Sequence, residues 1–259
     1  MILWVDGAHD PEENMRRDRA LLAAAERSAE PVLRLFTFHP HGITLGAREH
    51  PDMALDLDRC RTDDIPWAVR PTGGRAIFHA EEWTYSLAAP IDDPRWGGTQ
   101  SEAYHRVSRL IVDALRGLGV PAELVRPGRS ASLASAAACF ASTARHEIEV
   151  NGRKLVGSAQ RRTMRGLLQQ GSILLGDGHL RLADYVRPSE RPGLSARLAE
   201  SACHAGPWLG GRVDLHAWAG ALQPFLGADT RRYEGADGLF LLTLENPRSY
   251  TAALAQLAR

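Results

Sequence analysis

Short apolar runs, broken by glycine, proline and charged residues, divide the chain into strand-length and helix-length segments. Asp10-Pro11-Glu12-Glu13 reads as a cap, a proline at the first helical position and an acid two residues on, so a helix is predicted from Pro11 to about Ser28. Val32–Phe38 and Ile43–Gly46 read as strands, residues 54–64 as weak helix, and Trp67–Arg70, Ala76–His79 and Trp83–Ala89 as strands. Thr72-Gly73-Gly74 is the predicted turn between the first two of those three. Thr99-Gln100-Ser101-Glu102 is a capping box opening a helix that stops near Leu118-Gly119. Ala122–Arg126 reads as a short strand and residues 128–138 as a loop or weak helix. Strands follow at 146–150, 153–160 and 167–175, the first two joined by Asn151-Gly152, the strongest short hairpin signal. The remainder is mostly helical, with a strand expected at Leu239–Leu244 and a last helix from Asn246-Pro247. The pattern predicts an α+β fold, strands in hairpins with helices over one face. One main domain is expected over 1–259, with a smaller C-terminal portion from about 180.

Composition narrows the function classes. Of 259 residues, 44% are hydrophobic, enough for a sizeable core. Lys plus Arg equals Asp plus Glu at 31 each, which argues against general nucleic-acid or membrane binding. Cys60, Cys139 and Cys203 form no C-x-x-C pair, so neither a disulfide framework nor a zinc site is expected. The first residues lack a basic segment followed by an apolar run, and no stretch of about 18 apolar residues occurs, so a cytoplasmic protein is the default reading. A monomer is the working expectation, with no cofactor and no metal.

The candidate chemistry centres on the Asn151-Gly152 hairpin. Cys139 precedes it and Lys154 follows it. A thiol and an amine brought together there can run acyl transfer through a thioester, provided a nearby cation favours the thiolate. Each residue alone also has a plain reading. A free cysteine is commonly a small buried hydrophobe, and a strand lysine is commonly solvated. If Leu155 and Ile148 face the core, Lys154 faces away from it, toward solvent or an open groove. Arg70-Pro71-Thr72-Gly73-Gly74-Arg75 offers two glycines that let the backbone approach a ligand, with two charges nearby, or it is an ordinary glycine-rich turn. His79 ends the next strand and is either a site residue or a hydrogen-bonded structural one. Gly157-Ser158-Ala159 and Gln169-Gln170-Gly171-Ser172 place small residues inside strands, where a ligand can come close.

Those segments, taken in order, resemble a known superfamily. Arg70-Pro71-Thr72-Gly73-Gly74-Arg75-Ala76-Ile77-Phe78-His79, with Thr84-Tyr85-Ser86, resembles the first signature of the lipoate–protein ligases, biotin–protein ligases and octanoyltransferases. Gly152-Arg153-Lys154-Leu155-Val156-Gly157-Ser158-Ala159-Gln160 resembles the lysine-bearing second one. Gln169-Gln170-Gly171-Ser172-Ile173-Leu174 resembles the third, where histidine often stands at the place of Gln170. Asn14-Met15 and Asp18 resemble the opening helix, and the match covers roughly 10–180. Cys139, in a Cys-Phe-Ala-Ser context ahead of the lysine hairpin, resembles the LipM-type octanoyltransferases; the LipB type carries its cysteine after the lysine motif. A related amidotransferase type has a cysteine here but usually lacks the threonine and histidine of the first motif.

The resemblance implies a cofactor-ligase-like mixed sheet with helices packed on it. It implies octanoyl transfer from acyl carrier protein to Cys139 as a thioester, then to a lysine of a lipoyl domain or a glycine-cleavage H protein, without ATP. Lys154 would serve as acid–base residue, and Arg70, Thr72, Gly73, Gly74, Arg75, His79, Gly157, Ser158 and Ala159 as substrate-binding residues. Backbone N–H groups near Gly73-Gly74 or around Cys139 would stabilise the oxyanion. Two rivals stay open: an ATP-dependent lipoate or biotin ligase with a structural Cys139, and a non-catalytic acyl-binding module.

Overall fold

The structure, a computed structural model of the chain, describes residues 1–27, 30–125, 147–211 and 213–242. In chain order the elements are β1 (Ile2–His9), α1 (Pro11–Ala25), β2 (Val32–Phe38), β3 (Gly42–Leu45), α2 (Pro51–Ala54), α3 (Leu57–Thr62), β4 (Trp67–Val69), β5 (Ile77–His79), β6 (Glu82–Pro90) and α4 (Gln100–Gly117). There follow β7 (Glu123–Leu124), β8 (Ile148–Val150), β9 (Arg153–Arg162), β10 (Gly166–Leu174), α5 (Leu182–Tyr185), α6 (Leu194–Ser201), α7 (Gly206–Leu209), α8 (Leu215–Leu222) and β11 (Arg231–Glu234).

Among the described residues an eight-stranded mixed sheet runs β11-β1-β2-β6-β10-β9-β8-β7, and a small second sheet runs β4-β3-β5. Strand β6 is buried at every position, because the sheet is covered on both sides. Trp83, Tyr85, Leu87 and Ala89 point to the face packed by α4 and α8. Ala88 and, on β10, Leu168 point the other way, toward Leu21, Leu22 and Ala25 of α1. The expectation of helices over one face therefore needs correction: helices cover both. Period-two alternation in a central strand buried on both faces leaves no polar face to read.

The local signals act as their chemistry dictates. The Asp10 side chain accepts from the Glu13 N–H at 2.9 Å, with Pro11 at the first helical position. Thr99 and Glu102 close the capping box of α4 reciprocally. Asn151 and Gly152 both take left-handed φ, 52° and 74°, the mirror-image turn whose twist suits a hairpin.

Other expectations change. Thr72-Gly73-Gly74 does not close a hairpin, because β4 and β5 flank β3 on opposite sides, one parallel and one antiparallel. Residues 239–242 lie in the 3-10 turns of Gly235–Leu242 rather than in a strand. Two strands escaped the sequence: β1, whose apolar start pairs in parallel with β2, and the short, polar β11 at the sheet edge. The readings for 128–138 and for a helix from Asn246 lie outside the described residues. Among the described residues no helix is long and apolar enough to cross a membrane.

Candidate active site

The α1 side of the sheet carries the site. Strand alternation and the β6–β10–β9 register bring Thr84, Ser172 and Gly157 into one row and Ser86, Gln170 and Ala159 into the next. These small and polar side chains leave a small cavity of about 30 Å³ between the sheet, α1 and the β3–β5 sheet. Six of the expected substrate-binding residues line it: Arg70, Thr72, His79, Gly157, Ser158 and Ala159. Met15, Phe38 and Ile77 supply apolar wall. The Ser158 hydroxyl itself bonds Tyr85 OH at 2.8 Å.

The polar groups around the cavity are largely turned on one another. Arg70 Nη1 donates to Thr44 Oγ1 at 3.2 Å, and Thr44 Oγ1 meets His79 Nε2 at 2.7 Å. Thr44 Oγ1, with one hydrogen and two lone pairs, can accept from Arg70 and still serve Nε2, while Nδ1 lies on the other side of the ring. That nitrogen faces Glu82 Oε1 at 2.6 Å, which also accepts from Thr84 and Ser172. Phe38 stacks on the His79 ring at 3.9 Å and 14°. Both alternatives for His79 thus apply: it lines the cavity and is a fully engaged structural residue.

Arg70 is a buried brace for the glycine turn. It donates to the carbonyls of Gly73 and Arg75 at 2.9 and 2.8 Å. Gly73, Gly74 and Arg75 are exposed and do not line the cavity. The turn they form is held in place by Arg70. Gly74 takes φ 97°, and a Cβ on Gly46 would sit 2.0 Å from the Gly74 carbonyl oxygen, so glycines are required at both places for the turn to dock.

Beneath the cavity a second chain of bonds reaches the core. Thr72 Oγ1 donates to Gln170 Oε1 at 2.6 Å, and Gln170 Nε2 donates to Asp18 Oδ2 at 2.5 Å. Asp18 is held by Arg34 at 2.8 Å and by Ser86 at 2.7 Å. Arg34, fully buried, also pairs with Asp6 at 2.7 Å, and Arg17 pairs with the same Asp6. Burial would raise the Asp6 carboxyl, but the hydrogen bond with His9 and the Arg34 and Arg17 charges outweigh it and hold it below the ordinary aspartate value.

Lys154 departs from the expectation of solvent or open groove. A bulge in the β8–β9 pairing interrupts simple alternation, and Nζ meets Glu147 Oε1 at 2.5 Å with both side chains about 5% exposed or less. Lys154 sits three residues before the cavity-lining Gly157 on β9. Glu147 was not singled out in the sequence. Counting in twos from the turn places Glu149 opposite Lys154 and Glu147 two positions on, a signal that was present. Cys139 lies outside the described residues. Cys60 is buried on α3, Cys203 is half-buried, and burial pushes both thiols up.

Residues 10–197 match the lipoyl protein ligase A/B catalytic domain. The chain belongs to this family. Octanoyltransferase LipM of Moorella thermoacetica is 37% identical over 215 residues, covering 80% of this chain and 78% of that protein. Octanoyltransferase LipM of Kyrpidia tusciae is 39% identical over 184 residues, covering 69% and 67%. In fold, the chain is similar to a chain from a structural analysis of a bipartite lipoate protein ligase and its E2 lipoyl domain from Thermoplasma acidophilum. The TM-score is 0.67 at 20% identity, over 93% of this chain and 89% of that one. The lipoyl ligase A/B fold thus accounts for the mixed sheet with helices on both faces.

Proposed function

We propose that this chain is an octanoyltransferase of protein lipoylation. It takes octanoyl from acyl carrier protein onto Cys139 as a thioester and passes it to a lysine of a lipoyl domain or glycine-cleavage H protein. The observation that carries the reading is the 37% identity to octanoyltransferase LipM over 215 residues. The cavity supports it: carbon dominates its exposed wall, because the polar side chains are spent on one another, and an acyl tail needs such a dry slot. Gly157 and Ala159 keep the sheet floor low enough for the tail.

The chemistry balances without ATP. The Cys139 thiolate attacks the incoming thioester carbonyl, and the carrier leaves as a thiolate that takes up a proton. The acceptor amine then attacks the Cys139 thioester, an amide C–N bond forms, and the C–S bond breaks. Lys154 favours the thiolate in the first step and helps remove the ammonium proton in the second. Backbone N–H groups near Gly73-Gly74 or around Cys139 stabilise the oxyanion. The whole chain is read as one catalytic domain with a smaller C-terminal portion from about 180.

Intact mass tests this directly. Mixing with octanoyl-carrier protein should add one octanoyl group that hydroxylamine removes, and Cys139→Ser should abolish the adduct while leaving the fold unchanged. Octanoylation at full rate in Cys139→Ser would sink the transferase reading. Pyrophosphate release with ATP and lipoate would instead favour ligation.

A further inference from the structure

The Lys154–Glu147 pair is the one buried lysine–carboxylate contact among the described residues. Burying two charges costs several kcal/mol per ion unless each compensates the other, so a fold that keeps the pair next to its small-residue strand uses it. Other charged or titratable groups surround it. Glu149 on β8 feels the Lys154 charge, and burial pushes its carboxyl up, with Glu123 of β7 adding to the rise. On the α6 side, Lys154 bridges to Ala202, its carbonyl accepts from the Cys203 N–H at 2.9 Å, and the neighbouring Arg153 is tied to the Ala199 carbonyl at 2.5 Å. Only Glu147 makes a direct ion pair with Nζ among the described residues.

Resting on the transferase reading, we propose that Glu147 is a positioning residue that orients the Lys154 amine and takes over its proton during amide formation. A proton moved from Nζ to Glu147 Oε1 leaves the net charge of the pair unchanged, which a buried site tolerates. The neutral Lys154 amine then accepts a proton from the acceptor ammonium. The acceptor nitrogen bonds to the octanoyl carbonyl carbon, the C–S bond to Cys139 breaks, and the departing thiolate takes the second nitrogen proton. Lys154 ends as ammonium, and protonated Glu147 releases its proton to solvent. One proton leaves per turnover, as conversion of an ammonium and a thioester to an amide and a thiol requires. Without Glu147 the pair loses its carboxylate, and amines keep protons to far higher pH than carboxylates.

The test follows octanoyl transfer from preformed octanoyl-enzyme to a lipoyl domain across pH. Glu147→Gln should slow it about ten- to a hundredfold at neutral pH, the scale of one lost charged hydrogen bond. The rising limb of its pH profile should move to higher pH, with much of the rate regained there. Glu147→Asp, which keeps the carboxylate, should leave the limb in place. In a Lys154→Met background, adding Glu147→Gln replaces a carboxylate that has lost its ion pair with Lys154 by a neutral amide, which keeps the comparison foldable, and should cost nothing further. A lower rate with an unmoved limb in Glu147→Gln, or a further tenfold loss in the double variant, overturns the inference. Absence of octanoyl-Cys139 in the unaltered protein would overturn the transferase reading instead.

Discussion

Three thiols share this chain, and burial raises two of them. Cys60 and Cys203 are both pushed up, chiefly by desolvation and, at Cys60, also by nearby Asp56 and Asp63. A thiol reacts as its thiolate, so near neutral pH iodoacetamide should label Cys139 first, and activity should fall in step with that label. Prior acylation by octanoyl-carrier protein should protect Cys139 alone. Faster labelling of Cys60 or Cys203, with activity tracking it, would mean a different nucleophile. Lys154 carries a second prediction at this scale. Arginine keeps the charge opposite Glu147 but does not readily release a proton. Lys154→Arg should therefore slow transfer by about a hundredfold or more, the scale of lost acid–base catalysis; single-turnover kinetics would show it, and a wild-type rate would mean charge alone suffices.

Strands set the geometry that these residues use, and Gly171 on β10 shows how tightly. A Cβ there would meet the Tyr85 ring at 2.4 Å and Ser158 Oγ at 2.6 Å. The missing side chain lets Tyr85 OH reach Ser158 across the strands on the face away from the cavity. Gly171→Ala should destabilise the fold by about 1–3 kcal/mol, the usual cost of overpacking, as a lower urea midpoint. An unchanged midpoint would show that the ring moves aside freely. At the same scale the hairpin Asn151-Gly152, the helix starts at Asp10 and Thr99, and strand β2 stand where the sequence put them, since each depends on residues within a few positions. The β4–β5 connection was misread because adjacent strands in sequence need not pair. The intervening β3 is matched by register and packing, which no local pattern encodes.

Across the whole molecule, the buried Arg34 joins β1, β2 and α1 through Asp6, Asp18 and the Asn14 side chain, so acid should loosen the fold from its centre. The Asp6 carboxyl is held below its ordinary value, and that of Glu13 is held down to about 2, first by its hydrogen bond from Arg16 and also by Arg17. Such groups stabilise the fold above their unfolded values, and that stability is lost as pH falls through the folded ones. His179 acts in the same direction: burial pushes its imidazole below 6.5, so the unfolded chain takes the proton first. The thermal midpoint should therefore decline from about pH 6.5 downward and steepen between about 4.5 and 2. A flat midpoint over that range would contradict the arrangement. Removing the guanidinium by Arg34→Leu should cost about 3–5 kcal/mol in urea unfolding, because the buried Asp18 loses its cation and Asp6 keeps only Arg17. From the residues alone came the α+β class, the family signatures, and the lysine hairpin, because capping, turn chemistry and motif spacing are local in the chain. From the folded arrangement came the cavity, the second covered face of the sheet, the Arg70 brace, the Thr72–Gln170–Asp18 chain and the Glu147 partner of Lys154. Those contacts join residues up to about 150 positions apart, and only long-range register and burial bring them together.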